Sequence, residues 1–208
     1  MNISMTLDGK VTRPDGSWFG LTTKEDRRRM DVYRARADFV LAGRTSVERD
    51  NPEFVPKDGS QAPTPVMICR TILPPLDRRI FQQKKNKPIL FISDKLAPAG
   101  DLTSHAELIA LEDSKLTLSN VLHLLHDKGF QKGLLESGPK MNFSFFLEDL
   151  VDTLFITLVP FLIGQDGLPN IISGPSAIPG FDERRWELKM MEKSGSEIYL
   201  EYQRIRRS

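Results

Sequence analysis

Glu136 follows two apolar residues, Leu134 and Leu135, and is followed by Ser137-Gly138-Pro139, after which Phe143, Phe146, Leu147 and Leu150 recur at helical spacing. A carboxylate at such a point can orient or protonate a substrate if it lies within hydrogen-bond reach of a polar atom. Gly138 suits an N-cap and Pro139 the first helical position, which leaves the backbone N–H groups of Lys140, Met141 and Asn142 to meet an anion. The same residues also describe an ordinary capped connection with an exposed glutamate. Local pattern alone leaves both readings open.

Other charged residues are read in the same way. Arg34 follows Met30 by four and precedes Ala37 by three, beside the apolar face of a helical pattern, so it either snorkels or meets an anion. Asp50-Asn51-Pro52 opens a long loop, where an acid could touch a ligand, although an Asx-Pro pair also forms turns. Lys57 in that loop and Arg70 at a strand end could each pair with phosphate or remain solvated. His123 and His126 are three apart, with no Asp, Glu or Cys cluster at ligand spacing, which reads as a surface face. No Gly-x-Ser-x-Gly elbow and no cysteine–histidine pairing suggests covalent catalysis. Hydride transfer needs neither, because a cofactor brings the reactive atom.

The 29 basic and 28 acidic residues leave a formal charge of +1, which lacks the footprint of a nucleic-acid or membrane-surface binder. A single cysteine, Cys69, excludes an internal disulfide framework, and the opening "MNISMTLDGK" does not read as a signal peptide, so a reducing cytoplasm is expected. No apolar run approaches the roughly 20 residues that span a bilayer.

Elements that must position these residues alternate between strand-like and helix-like up to residue 150. "NISMTL" reads as the first strand, "TTKEDRRRMDVYRARA" as a helix with Thr22 and Glu25 in a capping box, and "DFVLAG" (38–43) as a buried strand. A short "TSVER" turn then leads into an aperiodic loop over 49–64. "PVMIC" and "PILFIS" are further core strands, and "TLSNVLHLLHDKG" is a helix with Leu118, Val121, Leu122 and Leu125 on one face, stopping at Gly129. After residue 150, "VDTLFITLVPFLIG", "RWELKMME" and "EIYLEYQRI" are strands without intervening helix, the last two joined by a turn at Ser194-Gly195-Ser196. The expectation is one α/β domain with a mixed, mostly parallel sheet, an antiparallel end, and a ligand crevice at the carboxyl ends of its strands.

Five segments in order, "MTLDGK" (5–10), "RARADFVLAGRTSVERDNP" (34–52), "LPPLDRRIF" (73–81), "LLESGP" (134–139) and "VDTLFITLVPFLIGQDGLP" (151–169), resemble the reductase domain of riboflavin biosynthesis. The resemblance covers nearly the whole chain. It implies a dihydrofolate-reductase-like three-layer fold over residues 1–208, a single reductase domain without a deaminase domain. It also implies NADPH as cofactor, a small-molecule pyrimidine ribotide as substrate, and a homodimer, for which the "LFITLVPFLI" strand would suit an interface. In that family hydride passes to C1′ of a ribosylamino-pyrimidine 5′-phosphate and opens the sugar to a ribityl chain.

Carried onto this sequence, the resemblance implies Asp50 and Glu136 at the reacting centre. It implies substrate contacts at Arg34, Phe54, Lys57 and Glu136, with Trp18 in the loop after the first strand, two positions earlier than the family's tryptophan. Cofactor contacts are implied at Ser4, Thr45, Ser46, Asp50, Arg70 and the run Gly138, Pro139, Lys140, Met141 and Asn142, through Ser144. Ser137 stands where the family has glycine, Lys57 where it has arginine, and Cys69-Arg70-Thr71 replaces Asp-Ser-Arg. Arg70 is thereby expected to grip the 2′-phosphate of NADPH. Two other readings are a reductase of another small heterocycle such as a pterin, and a non-catalytic nucleotide-binding paralogue. Joint retention of Arg34, Asp50 and Glu136 argues against the second of these.

Overall fold

Fifteen segments of regular structure run along the chain in a computed structural model that describes residues 1–18, 20–83, 86–96, 101–183 and 185–206. They are β1 (Asn2–Thr6), α1 (Lys24–Ala35), β2 (Phe39–Ala42), α2 (Arg44–Asp50), β3 (Thr64–Cys69), a 3₁₀ turn (Arg79–Gln82), β4 (Ile89–Ser93), α3 (Leu102–His105), β5 (Glu107–Leu111), α4 (Leu118–Asp127), β6 (Gly133–Glu136), α5 (Pro139–Leu147), β7 (Thr153–Val159), β8 (Trp186–Ser194) and β9 (Glu197–Arg204). The chain divides into two compact units, Asp31–Ser137, and Met1–Met30 with Gly138–Ser208; α1 straddles the division.

The unit Asp31–Ser137 contains a five-stranded sheet in the order β5-β4-β3-β2-β6, with every neighbouring pair parallel. β2 and β4 are buried along their whole length, as expected for parallel strands covered on both faces. Val40, Met67, Leu90 and Ile92 interlock there with Val47, Ile80, Phe81 and Leu102 from the connections. From β2 the chain adds β3, β4 and β5 on one side and returns to place β6 on the other. Ala42 and Glu136 are register partners at the carboxyl ends of that β2–β6 pair. This is the point of reversal at which open α/β sheets place their ligand crevice.

Contact between Phe39 and Gly133 fixes the start of that pair. A Cβ on Gly133 would lie 2.3 Å from the Phe39 ring. That ring is 5% exposed and packs edge-on against Phe130. The α4 helix preceding β6 is capped by Thr117, whose hydroxyl accepts the Asn120 N–H. It ends at Gly129 with φ +92, where the backbone turns left-handed.

The other unit holds a mixed sheet in the order β1-β7-β9-β8, with β1 parallel to β7 and the remaining pairs antiparallel. The hairpin expected at Ser194-Gly195-Ser196 is present, with Ser194 paired to Glu197 and the turn confined to Gly195, at φ +59, and Ser196. Two of the sequence signatures are stitched together here. Asp8 accepts the N–H groups of Ile163 and Gly164, Leu7 N–H donates to Phe161 O, and Val11 N–H donates to Pro169 O. The Asp8 carboxyl is held down at about 2 by the Thr6 hydroxyl first and the Gly164 N–H second.

The α/β class with a mostly parallel sheet and an antiparallel hairpin stands, although the strands hydrogen-bond as two sheets and mixing is confined to one of them. Three local expectations change, and one strand is new. The "TSVER" turn is the helix α2, which runs from Gly43 as N-cap to Asn51, a left-handed C-cap with φ 47. The capping residue of α1 is Thr23, whose hydroxyl accepts the Asp26 N–H, rather than Thr22 paired with Glu25. The strand β5, for which no expectation was set, pairs parallel with β4 at one edge of the sheet, its residues half-buried or exposed. On α5 the buried ring set is Phe143, Phe145 and Phe146, while Leu147 is exposed.

Candidate functional site

Arg34 ends α1 as a cation in its last turn, where the helix dipole favours positive charge. Its guanidinium reaches Glu136 at the end of β6 through two parallel bonds, Nε–H to Oε1 at 2.8 Å and Nη2–H to Oε2 at 2.7 Å. Side chains of Arg34 and Glu136 are 10% and 12% exposed, so water screens the pair weakly. Nη1 lies 3.6 Å from Asp31 Oδ1. Burial opposes the Arg34 charge, but Glu136 and then Asp31 outweigh it, and its pKa rises. The two residues expected at the substrate therefore hold each other, and all three guanidinium nitrogens face a carboxylate.

Phe54 lies beneath this pair. Its ring is 3% exposed, with the Arg34 guanidinium 5.2 Å from its centroid, and its backbone sits at φ +57, an unusual value for a bulky residue. Its side chain supports Arg34 from the core rather than lying open to a ligand.

The α2 helix starts one residue beyond β2 and carries Thr45, exposed, and Ser46, half-buried, in its first turn beside the β2–β6 carboxyl ends. Asp50 ends the same helix, exposed, with Arg49 Nε 3.5 Å from its carboxylate. Lys57 is exposed in the following loop, and its backbone N–H donates to Asp31 Oδ2 at 3.3 Å. Arg70 follows β3 and folds over the loop before α4, donating to the carbonyls of Asp113 and Leu116. Cys69 beside it is buried, and burial pushes its thiol up to about 12, so it is no nucleophile.

In the other unit, Gly138 is the N-cap of α5 in extended geometry, with no side-chain cap, and Pro139 is the first helical residue. A Cβ on Gly138 would meet no protein atom within 4 Å, so open space adjoins the helix start. The Asn142 N–H already donates to Gly138 O at 3.0 Å, and the buried Asn142 side chain donates to Ile171 O at 2.8 Å. The N–H set expected for an anion thus contracts to Lys140 and Met141, because Asn142 closes the first helical turn and anchors a loop. These donors still fit a pyrophosphate group. Trp18 is half-buried, and its carbonyl accepts the Leu21 N–H.

Ser4 Oγ lies 3.3 Å from Asp26 Oδ1, within a buried cluster that the sequence reading missed. Burial raises the Asp26 pKa, with the hydroxyl of Thr157 opposing it and the charge of Glu197 reinforcing it. Glu197, 1% exposed, accepts the Thr23 N–H at 2.9 Å, the Thr23 hydroxyl at 2.6 Å and the Tyr199 hydroxyl. Burial, then the bond to Glu197, pushes the Tyr199 pKa upward. The available signal was the β9 alternation, which puts Glu197 on the same face as Tyr199.

The parallel sheet with its reversal point, and a half-buried carboxylate held there by Arg34, describe an α/β protein of the open-sheet class, in which ligands bind at such a point. The RibD C-terminal domain family model matches residues 1–200, and the chain belongs to that family. It is similar to the 2,5-diamino-6-ribosylamino-4(3H)-pyrimidinone 5′-phosphate reductase of Methanothermobacter thermautotrophicus, 27% identical over 97% of this chain and 95% of that protein. The Archaeoglobus fulgidus protein of the same name is 27% identical over 85% of this chain and 86% of its own length. Among solved structures, a Thermotoga maritima diaminohydroxyphosphoribosylaminopyrimidine deaminase/5-amino-6-(5-phosphoribosylamino)uracil reductase superposes with a TM-score of 0.79 at 25% identity. The match covers 98% of this chain and 55% of that one, so this chain spans about half of the two-activity protein.

Proposed function

We propose that the chain reduces the ribosylamino side chain of a pyrimidine 5′-phosphate to a ribitylamino chain, as a reductase of riboflavin biosynthesis. The observation that carries this reading is the half-buried Glu136 carboxylate, clamped at two points by the buried Arg34 beside the β2–β6 reversal point. Fixed in one orientation, it is available as an acceptor for substrate hydroxyl or amine groups without reorganisation. Names of the relatives support the same substrate class.

Reductases of this family imply a nicotinamide cofactor, and we take NADPH as the form used, with Arg70 meeting its 2′-phosphate. When bound, the nicotinamide supplies hydride to C1′ of the substrate. Asp50 and Glu136 favour the ring-opened, protonated imine form of that substrate by hydrogen bonding. Because Arg34 is matched by Glu136 and Asp31, the cation offered to the 5′-phosphate is Lys57. Thr45 and Ser46 in α2, Ser4 in β1, and the N–H groups of Lys140 and Met141 serve the cofactor; Trp18 contributes on the substrate side.

Among the described residues no helix is long and apolar enough to cross a membrane. A cytoplasmic homodimer, acting as a single reductase domain, completes the proposal. The test is incubation with NADPH and the ribosylamino-pyrimidine phosphate, following NADPH oxidation together with ribityl product. Stoichiometric conversion is expected, with Asp50→Asn and Glu136→Gln folded but lacking turnover. Absence of conversion by the wild type, or wild-type rates in both variants, would contradict the assignment.

A further inference from the structure

We propose that Asp31 is a positioning residue for the substrate side of this reaction, an inference that rests on the function proposed above. Its carboxylate serves two masters. Oδ1 lies 3.6 Å from Arg34 Nη1, the nitrogen that takes no part in the bond to Glu136, and Oδ2 accepts the Lys57 N–H at 3.3 Å. One side chain thus connects the ion pair that orients Glu136 with the loop that carries Lys57. The Asp31 side chain is 13% exposed, so the link is only weakly screened.

Phe54 supplies a second fastening of the same loop to the same guanidinium, through its buried ring at 5.2 Å. The loop between α2 and β3 has no regular structure of its own, and ordering it costs conformational entropy. If Asp31 and Phe54 order it before substrate arrives, that cost is moved out of the binding step. Charge works in the same direction. Two carboxylates around one guanidinium leave a net negative group, which turns a phosphate away from Arg34 and toward Lys57. Asp31 therefore influences how tightly the ribotide binds while touching no reacting atom.

Asp31→Ala and Asp31→Asn test this, with KM measured separately for the ribotide and for NADPH. Asp31→Ala is expected to raise the ribotide KM about tenfold, the size of one charge-assisted hydrogen bond, with kcat within about twofold and the NADPH KM unchanged. Asp31→Asn keeps an oxygen for the Lys57 N–H but loses the charge, and is expected to recover part of the loss. Amide exchange at Lys57 should quicken by about tenfold in Asp31→Ala. An unchanged ribotide KM, or an equal loss in kcat and both KM values, overturns the inference while leaving the function intact. A wild-type protein that does not reduce the ribotide overturns the function, and this inference with it.

Discussion

Arg34 and Glu136, 102 residues apart in the chain, form a two-point ion pair in which Nε–H donates to Oε1 at 2.8 Å and Nη2–H to Oε2 at 2.7 Å. The pair ties the last turn of α1 to the carboxyl end of β6. Removing one member strands the other, and breaking a buried pair costs about 3–5 kcal/mol. Arg34→Ala is therefore expected to lower unfolding stability by about 3 kcal/mol and kcat/KM by at least about a hundredfold. Arg34→Lys keeps the charge without the fork and should fall between. Urea unfolding beside steady-state kinetics measures both, and a stable, fully active Arg34→Ala would show that Glu136 needs no clamp.

Gly133 sets where β6 begins. A methyl group there meets the Phe39 ring at 2.3 Å, and Phe130 stands against that ring. Gly133→Ala should cost about 1–3 kcal/mol through overpacking, and it should lower turnover by shifting Glu136. Unchanged unfolding and turnover would mean that the ring moves freely.

Asp8 makes the protein sensitive to acid. Its folded pKa, about 2, lies below the ordinary 3.8, so its stabilising contribution is present above 3.8 and is lost as pH falls through 2. Asp8→Asn should flatten the unfolding midpoint over that window and lower it at neutral pH. Parallel wild-type and variant profiles between pH 2 and 4 would remove this role.

Asp26 has the opposite sign. Burial raises its folded pKa above 3.8, so the protonated form is the one that folding favours, and stability declines as pH rises through the raised value. Asp26→Asn is expected to be more stable than the wild type at neutral pH and indistinguishable from it below 3.8. A less stable variant at pH 7 would show that the carboxylate, not the acid, satisfies the Ser4, Thr22 and Thr157 hydroxyls.

Strands such as β2 and β4 were legible because they are buried throughout and spelled by continuous apolar runs. The end of α4 and the start of α5 were legible because Gly129, Gly138 and Pro139 are local signals. Helix α2 was not, since its N-cap Gly43 offers no side chain and only Val47 is buried. At the site, Arg34 and Glu136 could each be marked as chemically suggestive, but their pairing spans 102 residues and follows from strand register, which no local pattern states. The Asp26–Glu197 cluster escaped because the β9 alternation marks Glu197 only as facing with Tyr199, while its contact with Thr23 spans 174 residues. Asn142 was counted one residue too far among the free donors: with Gly138 as the N-cap, its N–H is the first that closes an i→i−4 bond, to Gly138 O.

The central claim is hydride transfer to the sugar carbon of a ribosylamino-pyrimidine 5′-phosphate. It is tested most directly by a single turnover with NADPH deuterated on the transferring face of C4, followed by mass and NMR analysis of the product. A ribityl product carrying one deuterium at C1′ is the expected result. A product without label at C1′, or consumption of NADPH with no ribityl compound formed, would contradict it.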